Sequence, residues 1–164
     1  SLQMLNKNLD LALKKMALAA TADPEVADTI LADALGSAVA AFDAFGREAC
    51  RVAAQAAGTP GIADRISFPN PTGAQRNLQV AFAVDLASGI SAPQWESICR
   101  LFQKRHLFAH SAGVVDQGYL DKTNDPHALL GRKVPLDAAE VEAGVGVLRA
   151  LGRHLAAALC GAQP

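Results

Sequence analysis

Aromatic residues are scarce in this sequence. Only six Phe, one Tyr and one Trp occur among 164 residues. Val, Ile and Thr never cluster into the runs that are typical of strands. Hydrophobic residues nevertheless make up 51% of the chain, and much of that share is Ala, the strongest helix former. The composition therefore predicts an all-α domain, and the length suffices for a real hydrophobic core.

A strong net charge is also absent. The formal charge is −1, so no global basic field marks a nucleic-acid partner. The charge is unevenly spread, however, because six basic residues lie between Cys99 and Lys133 against three acidic ones. The same stretch contains three of the four histidines: His106, His110 and His127. We therefore expect a locally cationic patch in this part of the chain.

Cysteines are few, and no segment resembles a signal peptide. An odd number of cysteines without paired spacing predicts free, buried thiols in a reducing compartment. The most apolar stretches are interrupted by charges at Asp85, Arg149 and Arg153, so no membrane span is expected. These features predict a cytoplasmic protein with three unpaired cysteines: Cys50, Cys99 and Cys160.

Helical periodicity and capping signals divide the chain into about five helices. Asp23 and Pro24 predict the start of a long second helix, and Ser91 with Gln94 forms a capping-box pattern before the fourth. Asp137 and Glu140 form a similar pattern before the last helix. The sequence predicts an antiparallel bundle in a single domain over residues 1–164. Its helices cover about 2–21, 24–57, 73–87, 91–112 and 137–161, with a long loop at 58–71, a short helical turn at 116–123 and a loop or small hairpin at 129–136.

Candidate chemistry is concentrated between residues 102 and 116, at the predicted end of the fourth helix. His106 and His110 are four residues apart and share one helical face. Arg105 and His110 are five apart, which places them about 140° from each other around a regular helix. One straight helix therefore does not aim both side chains at one atom. Either the helix ends between them, or a second copy of the chain completes the site.

The pattern around Arg105 resembles the motif of HEPN domains. Four residues separate Arg105 from His110, a polar residue, His106, follows the Arg directly, and the segment Gly113–Asp116 reads Gly-Val-Val-Asp, as in bacterial members. The resemblance covers roughly residues 25–160. It implies a HEPN-like bundle of four to five helices that dimerises so that two motif copies face each other. For many family members it also implies metal-independent endoribonuclease activity.

The resemblance implies roles for individual residues. Arg105 and His110 would be the catalytic pair, and His106 would fill the polar position, where Asn is common. Lys104 is a candidate contact for an RNA phosphate, and Arg47 is a candidate to line the cleft. An acidic residue on the second helix supports the Arg in some members, and the candidates here are Asp43 and Glu48.

The implied chemistry needs no cofactor. Histidine exchanges protons near neutral pH and can take the proton of a ribose 2′-hydroxyl. An Arg can hold the phosphate and stabilise the charge of the pentacovalent transition state. The products would be a 2′,3′-cyclic phosphate and a 5′-hydroxyl. The expected partners are RNA, a second copy of the chain and an antitoxin or regulatory protein, in a defence, toxin or stress setting.

The sequence also allows other hypotheses about function. A non-catalytic HEPN-like module would bind RNA, a nucleotide or a protein, or would only dimerise or support a larger assembly. A zinc site is disfavoured because Leu107, not Glu, follows His106 and a third ligand such as Asp116 would have to be assumed. Glycine-rich phosphate loops and Ser/His/Asp triads have no counterpart in the sequence.

Overall fold

The described part of the chain consists mostly of six α-helices and two short 3-10 helices. A computed structural model describes residues 1–161, apart from the side chain of Cys160. Within this part there is no strand, only an isolated bridge between Val114 and Lys133. The predicted all-α fold is therefore confirmed, with more helices than expected. They are α1 (Leu2–Ala19), α2 (Pro24–Ala56), α3 (Pro71–Phe82), α4 (Ala92–Ser111), α5 (Gln117–Thr123) and α6 (Ala138–Cys160), with 3-10 turns at Pro60–Arg65 and Leu86–Gly89.

The main core lies where α1, α2 and α6 pack together. Leu5 and Leu9 of α1 are fully buried, as are Phe42 of α2 and Leu148 and Leu155 of α6. These apolar positions recur at helical spacing, so each helix presents one apolar face to the others. Burying a Leu or Phe side chain is worth roughly 1.5–3 kcal/mol, which makes this shared face the principal source of stability.

The longest helix, α2, runs through the middle of this packing. It begins with Pro24 in its first turn; Asp23 stands at the cap position, but its side chain makes no capping hydrogen bond. Although no membrane span is expected from the sequence, α2 is long and apolar enough to cross a membrane by length and composition alone, with a mean hydropathy of 1.3 over 18 residues. Because α2 contacts α1, α4 and α6, its apolar residues also have partners inside the bundle.

The long loop after α2 is tied to that helix. Its 3-10 turn is followed by Ile66 and Phe68, both buried. The Phe68 ring packs edge-on against Phe42, with centroids 5.4 Å apart, and covers Gly46, where a Cβ atom would overlap the ring. The Phe68 amide donates a 2.9 Å hydrogen bond to Asp43. The long loop predicted at 58–71 thus contributes Ile66 and Phe68 to the core.

The third helix is shorter than predicted. It ends at Phe82 because Ala83 adopts a left-handed conformation, and Leu86 then enters the core from a separate 3-10 turn. The predicted start of α4 is confirmed. Ser91 accepts a hydrogen bond from the amide of Gln94, and the Gln94 side chain accepts one from the amide of Ser91.

A second, smaller hydrophobic cluster lies beneath the end of α4. Gly113 has a φ of +81°, which favours glycine and lets the chain turn sharply after the helix. The next residues run beside the segment at 131–134: the Val115 amide donates to the carbonyl of Arg132, and the Val134 amide donates to that of Gly113. The cluster consists of Leu107, Val115, Tyr119, Ala128 and Val134. The predicted loop or hairpin at 129–136 therefore pairs with the chain after α4 rather than with itself.

Candidate functional site

The α4 helix is continuous through the whole motif, from Ala92 to Ser111. A regular helix keeps Arg105 and His110 about 140° apart, so the structure does not bring them together within one chain. His106 and His110 do share a face, as predicted: their ring centroids are 4.5 Å apart, and both side chains are exposed. Two imidazoles therefore stand together in solvent, while the Arg points elsewhere.

Arg105 faces α2 rather than open solvent. Its half-buried side chain lines a cavity of about 520 Å³, called here the Arg105 cavity, between α1, α2 and α4. Within residues 1–161 the guanidinium makes no hydrogen bond or ion pair, so its donors are free for a ligand. The Arg105 cavity is lined by Lys15, Ala32, Asp33, Gly36, Ser37, Ala40, Arg105, Phe108 and Ala109.

Three polar residues of the Arg105 cavity were not anticipated from the sequence. The Ser37 hydroxyl donates a 2.9 Å hydrogen bond to the carbonyl of Asp33 and accepts one of 3.2 Å from Lys15 Nζ. Asp33 is the acidic side chain of α2 that shares a cavity with Arg105. The only sequence signal was the position of Asp33 and Ser37, four residues apart on one face of α2, and it does not indicate which helix packs there.

The two acidic residues predicted to support Arg105 bond elsewhere. Asp43 accepts hydrogen bonds of 3.0 Å from Arg47 and 2.9 Å from the amide of Phe68. Glu48 pairs with Arg51, whose hydrogen bond lowers the pKa of the Glu48 carboxyl. Neither residue lines the Arg105 cavity. The structure therefore shows no contact of either carboxylate with Arg105 within one chain.

Arg47 also lies away from the motif. Its guanidinium binds Asp43 and donates a 3.2 Å hydrogen bond to Ser67, so it ties α2 to the loop that follows that helix. The side chain is more than half exposed, and it lines none of the cavities beside α4. A phosphate contact by Arg47 would therefore be remote from Arg105.

Lys104, a predicted contact for an RNA phosphate, is buried. It is 5% exposed, and its Nζ atom lies 2.7 Å from Glu140 Oε1 and 2.7 Å from the carbonyl oxygen of Pro135. The prediction failed because Lys104 faces α6 and the preceding loop rather than solvent. Lys104 is thus not available to a phosphate. The Glu140 carboxylate binds Lys104 and does not accept a hydrogen bond from the Asp137 amide, so the predicted capping box is incomplete.

A buried pair stabilises the turn beyond the motif. The Tyr119 hydroxyl donates a 2.7 Å hydrogen bond to Asp125, which is 6% exposed. Burial and the Asp125 carboxylate raise the pKa of Tyr119. Burial opposes ionisation of Asp125, but bonds from Tyr119 and the His127 amide outweigh it and lower the Asp125 pKa. This pair holds α5 and the following loop under the end of α4.

The described part of the chain contains no cluster of metal-binding side chains, and the two cysteines described are partly or fully buried. Within residues 1–161 no three His, Cys, Asp or Glu side chains are grouped closely enough to hold a metal ion. Cys50 is buried and Cys99 half-buried, and burial raises their pKa values to about 12 and about 11. The predicted thiol of Cys160 lies outside the described side chains.

A larger cavity, of about 590 Å³, lies between α4 and α6. Its walls are mainly apolar, and it contains none of the predicted catalytic residues. Of its charged residues, Glu140 is already paired with Lys104, and the buried Nε of Arg100 has no partner within residues 1–161. We therefore place the candidate site at the exposed end of α4 rather than in this cavity.

Comparison of the chain with protein-family models, with curated proteins and with solved structures finds no match in any of the three. The chemistry of α4 and of the surfaces beside it is therefore the basis from which a function is inferred.

Proposed function

We propose that this protein is a metal-independent endoribonuclease of the HEPN type, acting as a homodimer. The observation that carries the proposal is the exposed His106–His110 pair beside Arg105, whose guanidinium has no partner within residues 1–161. Exposed histidines and a free Arg supply a proton acceptor and a phosphate ligand without a metal. The helical bundle and the motif near the end of α4 agree with the HEPN resemblance.

A dimer would solve the geometric problem of the single chain. Along α4, Arg105 and His110 are about 7.5 Å apart in rise and about 140° apart in direction. A two-fold axis near the end of α4 would place Arg105 of one protomer opposite His110 of the other. Isologous contacts of this kind are the commonest form of homodimer.

The proposed reaction is an intramolecular transfer of the phosphoryl group. His110 takes the proton of the ribose 2′-hydroxyl, and the resulting oxygen attacks the adjacent phosphorus. The bond from phosphorus to the 5′-oxygen breaks, and that oxygen receives a proton from a histidine or from water. Arg105 stabilises the additional negative charge on the phosphoryl oxygens as it develops. His106, beside His110, is the candidate second proton carrier.

The products of the wild-type protein test this proposal. We expect single-stranded RNA to be cut in the presence of a chelator, leaving 2′,3′-cyclic phosphate and 5′-hydroxyl ends that mass spectrometry identifies. A DNA strand of the same sequence is the control and should stay intact, because it lacks the 2′-hydroxyl. Loss of cleavage with chelator, or equal cutting of DNA, would rule the mechanism out.

A second candidate is a non-catalytic module that binds RNA, a nucleotide or a protein. It is favoured by one observation, the divergence of Arg105 and His110 on an uninterrupted helix. It predicts salt-sensitive binding without cleavage at any protein concentration. A cytoplasmic location, a defence, toxin or stress setting, and control by an antitoxin or regulatory protein belong to the first proposal.

A further inference from the structure

A groove runs along the outer face of α2, between α1 and α4. It consists of the Arg105 cavity and an adjoining cavity of about 520 Å³, which share Lys15, Ser37 and Ala40. We call the two together the α2 groove. Leu11 and Lys15 of α1 form one wall, and Arg105 and Phe108 of α4 form part of the other. Its floor is made by Ala32, Gly36, Ser37, Ala40, Ala41 and Ala44.

The floor is built from small side chains. Residues 32–44 of α2 extend over about 18 Å at 1.5 Å per residue. No side chain on this stretch of floor is larger than a serine, apart from Asp33 at its edge. Gly36 carries no side chain, and a Cβ there would meet nothing within 4 Å. A ligand can therefore lie in the groove close to the surface of α2.

Cations stand on opposite walls of the groove. Lys15 Nζ is held 3.2 Å from the hydroxyl of Ser37, whose own proton goes to the carbonyl of Asp33. Within residues 1–161 neither Lys15 nor Arg105 makes an ion pair with a carboxylate. Asp33 is the one carboxylate among the described residues that line the groove. Two unpaired cations on facing walls are suited to a linear polyanion.

We propose that the α2 groove binds the phosphodiester backbone of single-stranded RNA, with Lys15 and Arg105 contacting different phosphates of one strand. The inference deepens the proposed function, since it gives the substrate a path to Arg105 from the side of α1. Basic grooves that follow the backbone are the usual means of binding single strands. A lipid surface is flat and does not enter a concave groove. An acidic polypeptide is the competing ligand, and competition with polyglutamate distinguishes it from RNA.

Binding of labelled single-stranded RNA tests the groove, measured by fluorescence anisotropy in a His110→Ala background so that cleavage does not interfere. Lys15→Ala should weaken binding at least about threefold and reduce the slope of log K against log salt by about 0.7, one phosphate contact. Lys14→Ala is the matched control, since Lys14 is the exposed neighbour on α1 and lines neither cavity. Equal effects of the two changes would overturn the proposal.

The sign of the effect at Asp33 gives a second, independent criterion. Asp33→Asn removes negative charge from the groove and should tighten RNA binding, whereas weaker binding would mean that the groove carries no strand past this point. Competition with polyglutamate identifies the ligand. If polyglutamate of equal charge displaces RNA at equal concentration, the groove is a site for acidic protein and the RNA proposal fails.

The groove and the ribonuclease proposal can fail separately. If the wild-type protein does not cleave RNA but Lys15→Ala selectively weakens binding, the groove stands and the enzyme proposal falls. If cleavage occurs and Lys15→Ala behaves like Lys14→Ala, the enzyme proposal stands and the groove is wrong.

Discussion

Arg105→Ala and His110→Ala should each reduce the rate of RNA cleavage by at least about 100-fold, because each removes one of the two chemical functions of the site. Without His110 no positioned base takes the 2′-hydroxyl proton. Without Arg105 the charge that develops on the phosphoryl oxygens loses its ligand. Single-turnover cleavage of a labelled RNA measures both effects. His106→Ala should cost less, because His106 is assigned only to the second proton transfer.

Two exposed residues provide matched controls for these variants. His127→Ala and Arg132→Ala remove the same side-chain types outside the motif, and both positions are exposed. Neither Arg105 nor the His106–His110 pair contributes a hydrogen bond within residues 1–161, so stability should change by less than about 0.5 kcal/mol in the motif variants. If the motif variants cleave RNA as fast as these controls, the assignment of the site is wrong.

Glu140→Ala should lower the free energy of unfolding by about 3 kcal/mol, because it breaks the ion pair with the buried Lys104. Lys104 is 5% exposed, and the change leaves its ammonium group with only the carbonyl of Pro135. A charge buried without its partner is far more costly than the loss of an exposed pair. Urea denaturation should show a midpoint lower by about 1 M or more.

The matched control for this change is Glu142→Ala, two residues further along α6 and exposed. It should alter the midpoint little. Lys104→Met, combined with Glu140→Ala, should restore much of the lost stability, because it removes the unpaired charge and keeps most of the buried volume. If Glu140→Ala and Glu142→Ala have equal effects, Lys104 does not depend on Glu140.

The ion pair between Lys104 and Glu140 also fixes the helix that carries the candidate site. Lys104 immediately precedes Arg105, and its bonds to Glu140 and Pro135 join α4 to α6 and to the loop before α6. The helix is therefore fixed just before the motif, which directs Arg105 towards α2 and leaves His106 and His110 in solvent. A residue predicted to contact RNA instead positions the residues around it.

Local signals in the sequence predicted most of the helices. The Ser91 capping box and Pro24 mark helix starts through interactions within a few residues, so they can be recognised without the fold. The end of α3 could not be predicted in this way. Ala83 adopts a left-handed conformation that its residue type does not favour, and the burial of Leu86 in the core accompanies it.

The candidate site was predictable only where one helix decides the geometry. His106 and His110 share a face because they are four residues apart, and the structure confirms this. The residues that line the Arg105 cavity depend on how α1, α2 and α4 pack, so Lys15 and Asp33 could not be distinguished from other polar residues on those helices. For the same reason Asp43 was a reasonable candidate from the sequence, yet it faces Arg47 and Phe68.

If Arg105 and His110 act together across a dimer, two variants that are inactive alone should complement each other when they are mixed. In a mixed dimer, the Arg105→Ala chain keeps His110 and the His110→Ala chain keeps Arg105. One intact Arg and one intact His therefore remain, on different chains. We expect the mixture to cleave RNA while either variant alone does not. If the mixture exchanges subunits and stays as inactive as its components, Arg105 and His110 do not form a shared site across the dimer.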